Sequence, residues 1–114
     1  MGFKDEFTLD DRCSEAVKIM KKYPSRIPII VEKNDKCTFQ DIDKRKYLVP
    51  KDLSIHQFTF IIRKRIKLNP SQAIFLMINN TLCPSNTTIG EVYDEYHDED
   101  GFLYVIYSSE NTFG

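Results

Sequence analysis

Gly114, the last residue of the sequence, has no Cβ, and is expected to present its main-chain carboxylate as a reactive group. Such a carboxylate can be activated as an acyl donor. Glycine suits that chemistry because it enters a narrow site and adopts almost any φ/ψ there. It follows the strand-like run Phe102-Leu103-Tyr104-Val105-Ile106-Tyr107 and the short stretch Ser108-Ser109-Glu110-Asn111-Thr112-Phe113. The plainer alternatives are an arbitrary chain boundary or a chance glycine, since about 7% of residues are Gly anyway. The side chains offer less. Cys13, Cys37 and Cys83 are an odd set without CxxC spacing, so neither a zinc site nor a disulfide framework is indicated and free thiols are expected. A cysteine nucleophile needs a base brought close, and no spacing here supplies one. Of the two histidines, His56 falls in a helical first turn. His97-Asp98-Glu99-Asp100 lacks the glycine-turned carboxylate loop of a hard-metal site and reads as a solvated acidic loop. P-loop, GxSxG and GxGxxG patterns are absent. The chain reads as a non-enzyme with no cofactor and no metal.

At 114 residues, 41% hydrophobic and 29% charged, the chain is sized for one domain with one core and needs no metal or disulfide to fold. Its longest apolar run, Ala73 to Ile78, is far too short to span a bilayer, and no signal-peptide core precedes it. The sequons at Asn79 and Asn86 are therefore expected to stay unmodified. Met1-Gly2 is not a myristoylation signal, because Glu6 stands where that motif wants Ser or Thr. Net charge is −1, yet residues 18–67 hold fourteen Lys and Arg against five Asp and Glu, and residues 68–114 hold seven acids and no Lys or Arg. A basic face attracts nucleic acid, anionic lipid or acidic peptide alike. The basic segment lacks the interleaved aromatics that stack bases, which argues against nucleic acid.

The elements that must position these groups follow from periodicity. Thr8 caps a helix with Asp10 and Asp11 in its first turn, and Tyr23-Pro24 ends it. Cys13, Ala16, Val17 and Met20 have helical spacing and form its expected core face. Ile19 lies roughly 110° off that face, either as an ordinary exposed apolar residue or as part of a binding surface. Ile27 to Val31 is β-branched and strand-like, with Pro28 hinting at one unpaired side. Lys44-Arg45-Lys46 leads into Tyr47-Leu48-Val49, closed by Pro50, a second strand guarded by cations as exposed sheet edges are. Ser54 and Gln57 have capping-box spacing before a helix carrying Ile55, Phe58, Ile62 and Ile66. Ala73 to Ile78 reads as a buried central strand. Thr88 to Glu91 forms a second capping box before a short helix, and a last strand follows Gly101. Helix, strand, strand, helix, strand, short helix, strand makes an α+β β-grasp with a helix in front.

These segments resemble one family closely. They are Lys22-Tyr23-Pro24-Ser25-Arg26-Ile27-Pro28-Ile29-Ile30-Val31-Glu32-Lys33, Asp43-Lys44-Arg45-Lys46-Tyr47-Leu48-Val49-Pro50, Phe60-Ile61-Ile62-Arg63-Lys64-Arg65-Ile66, Phe75-Leu76-Met77-Ile78-Asn79-Asn80 and Glu99-Asp100-Gly101-Phe102-Leu103-Tyr104. Together they are similar to the autophagy ubiquitin-like modifiers, the GABARAP and microtubule-associated light-chain family, from about residue 3 to the end. The resemblance implies an α+β ubiquitin-like β-grasp with two additional N-terminal helices. It divides a single 1–114 domain into N-terminal helices at 1–24, a β-grasp core at 25–108 and a conjugation tail at 109–114.

The family's activity is implied in the same way. An activating enzyme adenylates the terminal glycine, here Gly114, and passes it as a thioester to a conjugating enzyme. The amine of phosphatidylethanolamine then takes it as an amide. A cysteine protease trims or deconjugates many members. The protein is expected in the cytoplasm, monomeric before conjugation, and on autophagosome membranes when lipidated.

Family members also dock receptor and adaptor peptides carrying an aromatic residue, two variable residues and an aliphatic one. Carried over residue by residue, the aromatic pocket matches Glu15, Ile19, Pro28, Ile30, Lys46, Leu48 and Phe102. The aliphatic pocket matches Tyr47, Val49, Pro50, Leu53, Phe58 and Ile61. Arg26 and Lys44 are placed to meet acidic flanks. A second surface resembles Ile74, Phe75 and Leu76, where a buried strand is the competing reading. Two departures are visible: Asp5, Glu6, Asp10 and Asp11 make the first helical region acidic, and Met77 stands where many members carry an aromatic. The acidic start lacks the basic character linked to microtubule binding in the light-chain branch.

Overall fold

A computed structural model describes residues 2–109. Its elements run α1 (Phe3–Glu6), α2 (Leu9–Lys22), β1 (Arg26–Lys33), β2 (Lys46–Pro50), α3 (Ile55–Arg65), β3 (Phe75–Ile78), β4 (Thr81–Leu82), α4 (Ile89–Tyr96) and β5 (Leu103–Ser108). The five strands form one mixed sheet in the order β2-β1-β5-β3-β4. β1 pairs antiparallel with β2 and parallel with β5, so it is central.

Position along β1 decides the layering. Ile27, Ile29 and Val31 point to one face and join Ile55, Phe58 and Ile62 of α3, Ile89 and Val92 of α4, and Leu103, Val105 and Tyr107 of β5 in the main core. Ile30 points to the other face and packs with Phe3, Ala16 and Phe102 under α1 and α2. A strand buried on both sides reads as the unbroken apolar run seen here.

The expected unpaired side of β1 is confined to a single position. The Val31 N–H donates to Arg45 O at 2.8 Å, so the odd residues of β1 direct their backbone groups toward β2. Pro28 therefore turns its nitrogen toward β5, and that ladder starts only at Ile29 opposite Leu103. No ladder bond is lost, which is how a proline sits in a central strand.

Capping follows the sequence with one correction. The Thr8 hydroxyl accepts from Asp11 N–H at 3.1 Å. Ser54 and Gln57 close a reciprocal box, with Gln57 N–H to Ser54 Oγ at 3.1 Å and Ser54 N–H to Gln57 Oε1 at 2.9 Å. At α4 only Thr88 acts, accepting from Glu91 N–H at 3.2 Å. β4 was not expected; Asn79 and Asn80 both take φ near +55° (53° and 58°) and turn β3 back onto it. Asparagine tolerates that region, and two such residues make the hairpin turn usually signalled by Asn-Gly.

The core face of α2 also differs from expectation. Arg12 and Ala16 are buried and Ile19 is half-buried against the Phe3 cluster, whereas Val17 is 51% exposed and Met20 37%. Cys13 is only half-buried, and the buried thiol is Cys37. Simple apolar spacing put the face one step around the helix because it could not credit a buried arginine. Ile19 is thus an inward residue at the margin of the second layer.

Close approach of α2 to the β5 entry requires glycine. Gly101 has φ +94°, and a Cβ there would stand 2.9 Å from Ala16 Cβ. Gly101→Ala is expected to destabilise the protein by about 1–3 kcal/mol through this strained backbone. Urea unfolding reads it as a lower midpoint at an unchanged slope; an unchanged midpoint would show that α2 does not press on this turn.

Candidate functional site

Of the two edges of the sheet, β4 is only two residues long, and β2 is the longer, with β1 on one side and no strand on the other among the described residues. Because Arg45, Tyr47 and Val49 direct their backbone groups to β1, Lys46 and Leu48 direct theirs outward. The outward Leu48 carbonyl is met by Arg26 Nη1 at 3.3 Å. Two residues of an exposed edge therefore offer N–H and C=O groups to an added strand.

Side chains of β2 alternate between the two layers. Tyr47 and Val49 are buried in the main core, where the Tyr47 ring meets Phe58 edge-on at 5.7 Å. Burial pushes the Tyr47 phenol up to about 12, so it is neutral at physiological pH. Its hydroxyl meets no hydrogen-bond partner among the described residues. Lys46 points to the opposite layer. Its Nζ lies 2.9 Å from Glu15 Oε1 on α2, and 5.4 Å from the Phe3 ring centroid.

The structure brings the expected aromatic-anchor residues together on the α2 side of the edge. Ile30 and Phe102 are fully buried at the base with Pro28 buried beside them; Ile19 is half-buried above, and Glu15 and Lys46 span from α2 to β2. Leu48, half-buried, faces the same layer opposite Pro28. The expected aliphatic-anchor residues gather on the α3 side. Phe58, Tyr47 and Val49 are core residues, Leu53 is half-buried against them, and Ile61 is 38% exposed. Pro50 ends β2 exposed. Lys44 stacks its Nζ 4.9 Å from the Tyr47 ring centroid.

An extended peptide added to this edge presents residues i and i+3 to opposite faces, because three is an odd number of steps. One anchor then enters the α2 side and the other the α3 side. Two anchors separated by two residues would therefore face different layers.

Other features behave differently. Ile74 and Leu76 are buried in the main core and Phe75 is half-buried, so the second expected surface is mostly strand interior. A cavity of about 590 Å³ opens around Glu32, Lys33, Asn34 and Arg45, and none of the expected anchors lines it. Burial and Glu95 push the Cys83 thiol up, away from a reactive thiolate. His97 stacks on Tyr93 and its Nδ1 lies 2.8 Å from Tyr93 O. No helix among the described residues is long and apolar enough to cross a membrane. Gly114 lies outside the described residues.

The acidic loop is the main correction. Asp100 is not solvated: its side chain is 0% exposed and paired with Arg12 Nε at 3.0 Å. Asp98 pairs with Lys4. The sequence held one signal for this, an arginine four residues before Ala16 and so on the same helical face.

Comparison with known proteins then decides the relationship. The family model described as Autophagy protein Atg8 ubiquitin like matches residues 11–114. The chain belongs to the Atg8 ubiquitin-like family. It is 53% identical to Autophagy-related protein 8d of Arabidopsis thaliana over 99% of this chain and 94% of the plant protein. It is likewise 53% identical to Autophagy-related protein 8 of Schizosaccharomyces pombe, over 98% of this chain and 93% of the yeast protein. The crystal structure of Trypanosoma brucei ATG8 superposes with a TM-score of 0.92 at 41% identity, covering 100% of this chain and 98% of that one. The family resemblance read from the motifs is thereby shown, as is the ubiquitin-like α+β fold with its N-terminal helices. This Atg8-family chain is an autophagy-related ubiquitin-like protein.

Two substitutions probe the edge. Leu48→Asp puts an unpaired carboxylate where an apolar anchor is expected to sit. It is expected to lower affinity for an aromatic-x-x-aliphatic peptide at least about tenfold, a loss of 1.4 kcal/mol or more. Arg26→Ala is expected to cost only ~0.2–1 kcal/mol with an acidic-flanked peptide, fading in salt. Calorimetry at two salt concentrations measures both; normal binding by Leu48→Asp would place docking elsewhere.

Proposed function

We propose that this protein is a modifier joined through Gly114 to phosphatidylethanolamine, and that it recruits autophagy receptors and adaptors to membranes through the β2 edge. The observation that carries the docking half is the open edge of β2, bordered by Ile19, Ile30 and Phe102 on its α2 side and by Tyr47, Val49 and Phe58 on its α3 side. Main-chain pairing would supply affinity that depends little on sequence, and the two sites would supply selectivity. An interface this small fits roughly micromolar binding, about −8 kcal/mol.

The conjugation half rests on family membership and on a glycine at position 114 within the matched residues. In this reading ATP adenylates the Gly114 carboxylate, with loss of pyrophosphate. An activating-enzyme cysteine displaces AMP to form a thioester, a conjugating-enzyme cysteine takes the acyl group over, and the lipid amine displaces that thiolate to leave an amide. This chain is the acyl donor throughout, and a cysteine protease would process or reverse the product. The domain then divides into helices at 1–24, a β-grasp at 25–108 and a tail at 109–114. The unconjugated protein would be cytoplasmic and monomeric, and the lipidated form would sit on autophagosome membranes. Ile74, Phe75 and Leu76 are proposed only as a minor second contact, through Phe75.

Reconstitution tests the whole reading. Wild-type protein with activating and conjugating enzymes, ATP and liposomes containing phosphatidylethanolamine is expected to give a faster-migrating, membrane-bound product. Gly114→Ala should keep the native melting temperature, since β5 ends at Ser108, yet lose at least about tenfold in conjugation rate, because a Cβ adds bulk in the activating site. Lipidation of Gly114→Ala at the wild-type rate would sink the modifier hypothesis and leave a non-conjugated interaction module.

A further inference from the structure

We infer that Asp100 is a positioning residue for the aromatic-anchor site, setting its floor against its wall from one buried carboxylate. The inference rests on the docking reading above. Asp100 Oδ1 accepts from the Phe102 N–H at 2.8 Å, which holds the residue whose ring forms the floor. Asp100 Oδ2 accepts from Arg12 Nε at 3.0 Å and from the Tyr104 hydroxyl. Arg12 in turn donates from Nη1 to Phe7 O at 3.2 Å and Lys4 O at 3.4 Å, reaching α1 and its junction with α2. The chain of bonds thus runs from β5 through α2 to α1 without touching the edge strand.

Its leverage comes from helix geometry. Glu15 and Ile19 lie about one and two turns beyond Arg12, on the same face of α2. Fixing the roll of α2 at Arg12 therefore fixes where both wall residues stand relative to Phe102. Apolar packing alone would hold α2 down equally well, since a buried ion pair is often no more stabilising than a hydrophobic replacement. What the carboxylate adds is direction: it accepts from the β5 entry and from α2 at once, and the planar guanidinium that meets it through Nε is itself held through Nη1 by the Lys4 and Phe7 carbonyls. The Ala16 contact with Gly101 sets the distance of α2 from the same loop, and the ion pair sets its rotation.

The test uses the full chain and three peptides: an aromatic-x-x-aliphatic sequence, the same with Leu for the aromatic, and the same with Ala for the aliphatic residue. Asp100→Asn keeps shape and an acceptor for Phe102 N–H but removes the charge. Arg12→Lys keeps the charge, loses the fork, and serves where Asp100→Asn fails to fold. In each folded variant the aromatic-over-Leu preference, as a ratio of Kd values, is expected to fall about tenfold, equivalent to 1.4 kcal/mol. The aliphatic-over-Ala preference should stay within about twofold of wild type, because the α3 side is untouched. An unchanged aromatic preference would overturn the inference, as would an equal fall in both preferences, which marks general loosening. Wild-type protein without any aromatic preference would instead overturn the docking reading, and this inference with it.

Discussion

Burial of β1 on both faces is the constraint from which the rest of this structure follows. Its side chains alternate between two apolar layers, so each face must be covered by separate elements. The α3 and α4 layer completes the ubiquitin-like core, and the α1 and α2 layer covers Ile30 and Phe102 on the reverse. With β1 and β5 occupying the centre, β2 is left at the margin, and its alternation inherits both layers. The same geometry that buries the centre thus leaves an edge whose two faces border different apolar environments.

Polar groups arrange the second layer because its apolar contacts are few. Arg45 and Glu6 form a two-point contact at 2.5 and 2.7 Å, and the Phe3 N–H donates to Glu32 Oε2 at 2.7 Å. The hydrogen bond to Arg45 holds the Glu6 carboxyl below its ordinary range. Exposed pairs of this kind contribute little individually. The Arg12–Asp100 pair differs because it is buried, and removing one partner would strand a charge in an apolar setting. Orientation of the N-terminal helices therefore depends more on that one pair than on the surface contacts around it.

The proposed strand addition and acyl transfer would make different demands on one small chain. Docking would need an edge that does not pair with copies of itself, and the cations around β2 fit that need: Lys44, Arg45 and Lys46 lead into it, and Arg26 donates to the Leu48 carbonyl. The proposed acyl transfer would need a residue without steric bulk, and Gly114 is one. Neither demand calls for a catalytic side chain, which accords with an Atg8-family chain whose proposed chemistry is completed by partner enzymes.

Local sequence determined the elements and most of their ends. Thr8, Ser54 and Thr88 cap their helices, Tyr23-Pro24 stops α2, and the β-branched run at Ile27 to Val31 is the central strand, because each signal acts within a few residues. The family was legible for a different reason: ordered motifs along nearly the whole chain resemble a single one, and the proposed docking edge is carried over from that resemblance. Tertiary structure alone decided which way α2 faces. Periodicity favoured Val17 and Met20, but the side chain that reaches inward is Arg12, because a carboxylate 88 positions away neutralises it. Asp100 looked solvated among its acidic neighbours for the same reason. A charge is read as exposed until its partner is known, and that partner is brought to it only by the fold.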